Sequence, residues 1–423
     1  MRASGGARGR IAMIALHTSP LDPPGTGDSG GMNVHIRETM RRLAERDVAV
    51  DVYTRCAGRG VPEIHELTPL TRVIQVQAGP CAAVEKASLP QLVPSFVRSF
   101  LERDLPPYDV VHAHYWLSGQ AARAARSAWG APLVASFHTL GRVKNVALAP
   151  GDAPEPEERI RGESALIRAA DRVVAPTAIE ARDLVDLYGA RSDAIRIVSP
   201  GVDRERFRPR PRRETKMAWG LAGSTVALFV GRLQPHKGPD VAIRAVAEAV
   251  RADPAATRDL VLVLAGGSDG GSGTCDPGSL HALARAEGIV DRVRLVDSVI
   301  HEELPSLYAA ADVLLVPSRS ESFGLVALEA QACGVPGVAA SVGGLRLIVG
   351  DGESGFLVPG HDPRDHAERA MRILRSPELA LRMSRAAVLR SERFPWDRTV
   401  DELLGMYGEL APALAGPGAA VAP

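Results

Sequence analysis

Lysine is scarce in this chain. Of 50 basic residues only four are lysine, Lys86, Lys144, Lys216 and Lys237, and arginine does the generic surface work. The few positions that keep a lysine are therefore candidates for a specific task. An excess of charge of either sign is also missing, because Lys plus Arg and Asp plus Glu number 50 each. That balance offers no basic face for nucleic acid and no cationic patch for a membrane surface. No apolar run approaches the ~18 residues of a membrane span, so stable membrane insertion is not expected. Cysteine is limited to Cys56, Cys81, Cys275 and Cys333. They are scattered, show no metal-ligand spacing, and suit a reducing cytoplasm. The basic first residues precede an apolar run that stops at His17, which reads as a ragged terminus and not a signal peptide.

What remains is an ordinary soluble composition, 45% apolar and 24% charged. At 423 residues the chain exceeds what one core usually supports, so two domains are expected. Apolar runs that read as strands fall at 10–16, 48–54, 73–78, 109–114, 132–138, 172–176 and 195–198, with helical patterns between them. A Pro- and Arg-rich stretch without period, 206–213, reads as a linker. The alternation then restarts, with strands at 226–230, 260–265, 293–296, 312–316 and 335–340. Helices at 363–374, 377–393 and 396–410 close the chain, and the low-complexity tail beyond them is expected to be disordered. Such alternation means α/β architecture, with parallel sheets covered on both faces. The expected layout is two doubly wound Rossmann-like domains facing each other across a deep cleft. Residues 1–205 would form the first and 206–394 the second, with 395–423 crossing back to the first. Ligands of such sheets sit at the carboxyl ends of strands.

Four segments that follow strands carry the chemistry. The most informative is S-R-S-E-S-F-G-L-V-A-L-E, read as a helix over 322–333. It would place Glu321 and Glu329 about 12 Å apart along its axis, from 1.5 Å per residue. Ser322, Phe323 and Gly324 would then offer free helix-start amides to an anion. The plainer alternative is a buried amphipathic helix whose Glu321 is favoured by the dipole. In G-R-L-Q-P-H-K-G, Arg232 and Lys237 lie on a loop entering a helix. Cations there oppose the dipole, which favours a bound anion such as a pyrophosphate.

The loop H-T-S-P-L-D-P-P-G-T-G-D-S-G-G-M-N contains G-x-G-x-x-G as Gly25, Gly27 and Gly30. A dinucleotide-dependent oxidoreductase is one reading, with Asp51 as the acidic partner. The tight turn directly off the strand is missing, however, since eight residues intervene. A loop delivering the Gly30 and Gly31 amides to a phosphate fits better. The segments ending at Tyr115 and at His138 and Thr139 close two strands of the first half. Lys86 and Arg159 lie in polar stretches of the same half and could hold an anionic acceptor.

Taken together these residues resemble family 4 of the retaining glycosyltransferases, of GT-B architecture. E-S-F-G-L-V-A-L-E looks like that family's pair of glutamates eight residues apart, and G-R-L-Q-P-H-K-G like its donor-phosphate loop. H-Y-W-L-S-G, H-T-L-G-R-V-K-N and G-D-A-P-E-P-E-E-R narrow the resemblance to the inositol-phosphate branch, which serves mycothiol biosynthesis. The resemblance implies a UDP-N-acetylglucosamine donor held by Gly30, Gly31, Arg232, Lys237, Glu321 to Leu325 and Glu329. It implies a 1D-myo-inositol 3-phosphate acceptor met by Lys86, Tyr115, Thr139 and Arg159, with His17, Asp28 and Asn33 near the inositol. His138 would face the transferred sugar, and His138, Arg232, Lys237 and Glu321 would carry catalysis. It also implies a homodimer, no required cofactor beyond the nucleotide sugar, no catalytic metal, and at most a magnesium ion away from the chemistry. Departures cluster on the donor side: Val299 stands where the family usually has an arginine, and Gly337 and Arg346 replace a valine and a proline. A GDP-sugar donor or a small-thiol acceptor in a secondary-metabolite pathway is the alternative. A non-enzymatic sugar-nucleotide sensor is a further one. Closure of the two halves around the ligand is expected.

Overall fold

The computed structural model describes residues 7–25, 28–58, 60, 62–103, 107–150, 152–267, 275–297 and 299–415. Gly27, Ser298, the centre of the Gly/Ser stretch at 266–278 and both chain ends lie outside them.

The first sheet has eight strands: β1 (Gly9–Ile14), β2 (Val48–Arg55), β3 (Ile64–Thr68), β4 (Thr71–Val76), β5 (Val110–His114), β6 (Leu133–Ser136), β7 (Arg172–Ala175) and β8 (Ile195–Ile197). Their order is β3-β4-β2-β1-β5-β6-β7-β8. All pairs are parallel except β3 with β4. The second sheet holds β9 (Thr225–Val230), β10 (Leu260–Ala265), β11 (Val293–Val296), β12 (Val313–Val316), β13 (Gly337–Ala340) and β14 (Gly355–Val358), in the order β11-β10-β9-β12-β13-β14 and parallel throughout. Central strands such as V-L-L-V are buried along their whole length, as sheets covered on both faces require.

Strand order reverses between β1 and β5 in one sheet and between β9 and β12 in the other. A crevice opens where two neighbouring loops leave in opposite directions. The segments starting at His17 and Tyr115 leave the first such point, and those starting at Gly231 and Pro317 leave the second.

The last long helix, Trp396–Leu410, turns Val400, Leu403, Leu404, Met406 and Tyr407 into the core of the first sheet. Arg46 pairs with Asp397 and Asp401 across that contact.

Several local expectations are corrected. The helix expected over 322–333 spans only Leu325–Ala332, because Gly324 at its N-cap takes a left-handed φ of 102°. The linker expected over 206–213 ends early, since helix Arg212–Ala218 has begun. Edge strand β3 was missed because I-H-E-L-T is mostly exposed and lacks an apolar run. The tail starts ordered: Pro412–Leu414 forms a turn and Leu414 is fully buried against the first core. The cysteines are not all free thiols either. Parallel pairing of β2 with β4 brings the ends of both strands together, and Cys56 and Cys81 just beyond them form a disulfide.

Candidate active site

On the second half, β9 delivers Arg232, and a one-turn helix Pro235–Lys237 delivers Lys237. Gly238 follows with φ 75° against the Pro317 carbonyl, 2.5 Å from where a Cβ would stand, so this approach requires glycine. The loop 321–324 is braced from the other side. The Gly344 amide donates to the Glu321 carbonyl at 2.9 Å, and a Cβ on Gly343 would lie 1.9 Å from that oxygen. The amides expected from Ser322 and Phe323 thus belong to a braced loop. The free helix-start amides begin at Leu325.

Lys237 Nζ lies 2.6 Å from Glu321 Oε2. Glu329 is buried on the helix, where its carboxylate accepts from the Tyr308 hydroxyl at 3.0 Å and lies 3.2 Å from His301 Nε2. The two glutamates therefore face different partners.

On the first half, Lys86 Nζ and the Arg159 guanidinium lie 5.5 and 5.0 Å from the centre of the Tyr115 ring. Arg159 is buried, donates to Thr139 Oγ1 and to its carbonyl at 2.9 Å, and is paired with Glu155 and Glu163. Lys86, Tyr115, Thr139 and Arg159 are thus brought together. His17 packs its ring on Tyr115 at 4.5 Å. Burial and the nearby Lys86 charge lower its pKa to about 3, so it is neutral. Asn33 is not presented to the cleft: fully buried, it donates to Thr18 and Ser19 and accepts from the Gly30 amide.

The two halves meet here. Asp28 accepts from Lys86 Nζ at 2.8 Å and from Arg232 at 3.3 Å. Gly31, at the start of helix Gly31–Ala44, would place a Cβ 3.2 Å from Leu325, so the starts of the two glycine-preceded helices approach each other. A cleft between the halves is lined from the first by Leu140, Thr177 and Glu180 and from the second by Arg319, Glu321 and Ser322.

Behind this lies a stack of histidines. His114 Nδ1 is 3.0 Å from His138 Nε2, and His112 stacks on His114 at 4.2 Å. His112 is held by the Tyr407 hydroxyl at 2.6 Å and Ser136 Oγ at 2.9 Å. Burial drives the protonation of His35, His112, His114 and His138 well below the ordinary range. Tyr115 and His138, at the ends of neighbouring strands, both have φ above +60°, at 68° and 61°. For non-glycine residues that is strained backbone, of the kind concentrated at functional sites.

Sequence reasoning missed two of these residues. Glu180 faces Ser322 across the seam, where both line the cleft, and burial raises its pKa to about 8. Its place just past strand β7 is the signal that could have found it. His114 was passed over for its neighbours, although it ends β5. Asp51, the acidic residue of the dinucleotide reading, is consumed by Arg10, Arg72 and Tyr108.

The model of the glycosyl transferases group 1 matches residues 212–390, and that of the glycosyl transferase 4-like domain matches 30–201. D-inositol 3-phosphate glycosyltransferases from Nocardiopsis dassonvillei and Acidothermus cellulolyticus are each 49% identical over 403 residues. Those alignments span 94% of this chain and 94% and 90% of the relatives. The chain belongs to the family 4 glycosyltransferases. Among solved structures, this family 4 chain is similar to sucrose-phosphate synthase from Thermosynechococcus elongatus, at 30% identity and a TM-score of 0.87, over 95% of this chain and 99% of that one. Anabaena Alr3699/HepE in complex with UDP and glucose shares the fold at 20% identity and a TM-score of 0.74, over 95% and 100% of the two chains. The two facing parallel sheets are the GT-B architecture, and the chain is a glycosyltransferase.

Proposed function

We propose that this glycosyltransferase moves N-acetylglucosamine from UDP-N-acetylglucosamine to 1D-myo-inositol 3-phosphate, with retention at the anomeric carbon. The observation that carries the acceptor assignment is the convergence of two cations, Lys86 and Arg159, on Tyr115 beside the Thr139 hydroxyl. A dianionic phosphate matches the Lys86, Tyr115 and Thr139 donors with the Arg159 charge behind them, and on binding it would take Lys86 from Asp28. The names of the Nocardiopsis dassonvillei and Acidothermus cellulolyticus relatives support the same acceptor.

On the donor side, Arg232, Lys237 and the helix start at Leu325 suit a diphosphate whose charge grows as the bond to the sugar breaks. Asp28, the present partner of Arg232, would yield to a phosphate oxygen, while Glu321 keeps hold of Lys237 and orients it toward the donor. The acceptor hydroxyl attacks the anomeric carbon on the face the diphosphate leaves. The carbon–oxygen bond to phosphate breaks, and the departing phosphate oxygen takes the hydroxyl proton. Residues 1–205 and 206–394 would act as two domains that close on the ligands, with the crossings near 206–211 and 394–396 as hinges. Closure excludes water and limits donor hydrolysis.

A mass-spectrometric screen of UDP- and GDP-sugars against inositol 3-phosphate and small thiols tests the reading. It expects a product only from UDP-N-acetylglucosamine with inositol 3-phosphate. A glycosylated thiol, or a GDP-sugar as the better donor, would overturn it.

A further inference from the structure

His112 and His114 lie two apart on β5, and parallel pairing with β6 sets His114 opposite Ser136. The chain leaving β6 then folds back through His138, so three imidazoles stack in one column, His112 on His114 and His114 on His138. Burial keeps all three neutral, and each then has one N–H and one bare nitrogen. His114 Nδ1 and His138 Nε2 share a hydrogen bond of 3.0 Å, so one of them carries the proton.

The far side of His114 decides which. Its Nε2 is buried and has no hydrogen-bond partner among the described residues. If His138 donated, His114 would have to carry its own proton on Nε2, a buried N–H with no acceptor. If His114 donates from Nδ1, its Nε2 is only a bare lone pair. Orphaned buried N–H groups are the rarer and costlier of the two cases. His138 then accepts at Nε2 and carries its proton on Nδ1. His112 does not compete for this bond, because Tyr407 and Ser136 occupy both of its nitrogens.

We propose that His114 is a positioning residue: it locks neutral His138 in the Nδ1–H tautomer, so that His138 offers a hydrogen-bond donor, never an acceptor, to an oxygen of the transferred sugar. The left-handed backbone at His138, φ 61°, supports this, since it aims a half-buried ring whose Nε2 is already engaged. The identity of the recipient rests on the reading above that His138 faces that sugar; the tautomer does not.

The test is nitrogen-15 NMR of histidine-labelled full-length protein without substrates, with His138 assigned by its loss in His138→Gln. The expected signature is a protonated Nδ1 and a bare Nε2. His114→Phe keeps the stacked ring and removes the donor; it should convert His138 to a tautomer mixture and lower kcat about 10-fold with little change in acceptor KM. His114→Asn, whose amide N–H can stand where Nδ1–H was, should restore both. A protonated Nε2 on His138 in the parent, or an unchanged signature in His114→Phe, overturns the proposal. Should His114→Phe fail to fold, the parent tautomer and the Asn variant still decide it. If the signature holds but no sugar is transferred, the functional reading fails and the positioning role stands.

Discussion

The Asp28 carboxylate lies 3.3 Å from Arg232, and so ties the first half of the molecule to the second. The same oxygen is 2.8 Å from Lys86. One carboxylate thus separates a cation assigned to the acceptor from a cation assigned to the donor. Asp28→Asn should leave those cations repelling each other until an anion arrives. All three side chains are partly exposed, so the loss of stability is modest, about 1 kcal/mol or less. Thermal melts should show a larger stabilisation by inositol 3-phosphate or UDP in Asp28→Asn than in the parent. Equal shifts would contradict the view that Asp28 holds the place of a phosphate.

Arg232→Ala and Lys237→Ala should each lower turnover by about 10²-fold or more, comparable to the loss of an oxyanion donor. The pair of Lys237 with Glu321 at 2.6 Å predicts a further effect, a weakened donor complex in Glu321→Gln. Steady-state kinetics with varied donor measures both. Near-normal turnover in both cation variants would remove the donor assignment.

The Glu180 prediction concerns pH. Its pKa is raised to about 8, mainly by burial, while its carboxyl meets Ser322 across the seam. A carboxyl with a raised folded-state pKa stabilises the apposed halves fully only below its unfolded value, and that contribution is lost as pH rises through about 8. The melting temperature should therefore fall between about pH 6 and about pH 9 in the parent, and fall less in Glu180→Gln. Parallel pH profiles for the two proteins would contradict this.

Much of this architecture was legible because buried parallel strands leave unmistakable apolar runs, and strand ends then point to the loops that matter. Arg232, Lys237 and His138 are legible that way, whereas Lys86 stands out by the scarcity of lysine. Conformation at single residues was not legible. The period of S-F-G-L-V-A-L-E permits a helix from Ser322, and only the backbone reveals that Gly324 turns left-handed and delays it to Leu325. Partners distant in sequence were hidden for another reason. Glu180 sits behind the N-cap Thr177 and reads as an ordinary first-turn acid; only packing of the halves shows that it meets Ser322. Likewise, nothing in the spacing of Cys56 and Cys81 reveals that β2 and β4 end side by side.

The acceptor phosphate site is the central claim, and one comparison tests it most directly: kcat/KM for inositol 3-phosphate against free inositol, with UDP-N-acetylglucosamine as donor, in the parent and in Lys86→Ala. Two lost charge-assisted bonds of ~1.5–3 kcal/mol each predict a preference of at least ~10²-fold for the phosphorylated acceptor in the parent. In Lys86→Ala the KM for that acceptor should rise while donor hydrolysis is spared. Equal use of inositol and its phosphate, or an unaffected Lys86→Ala, would contradict the account.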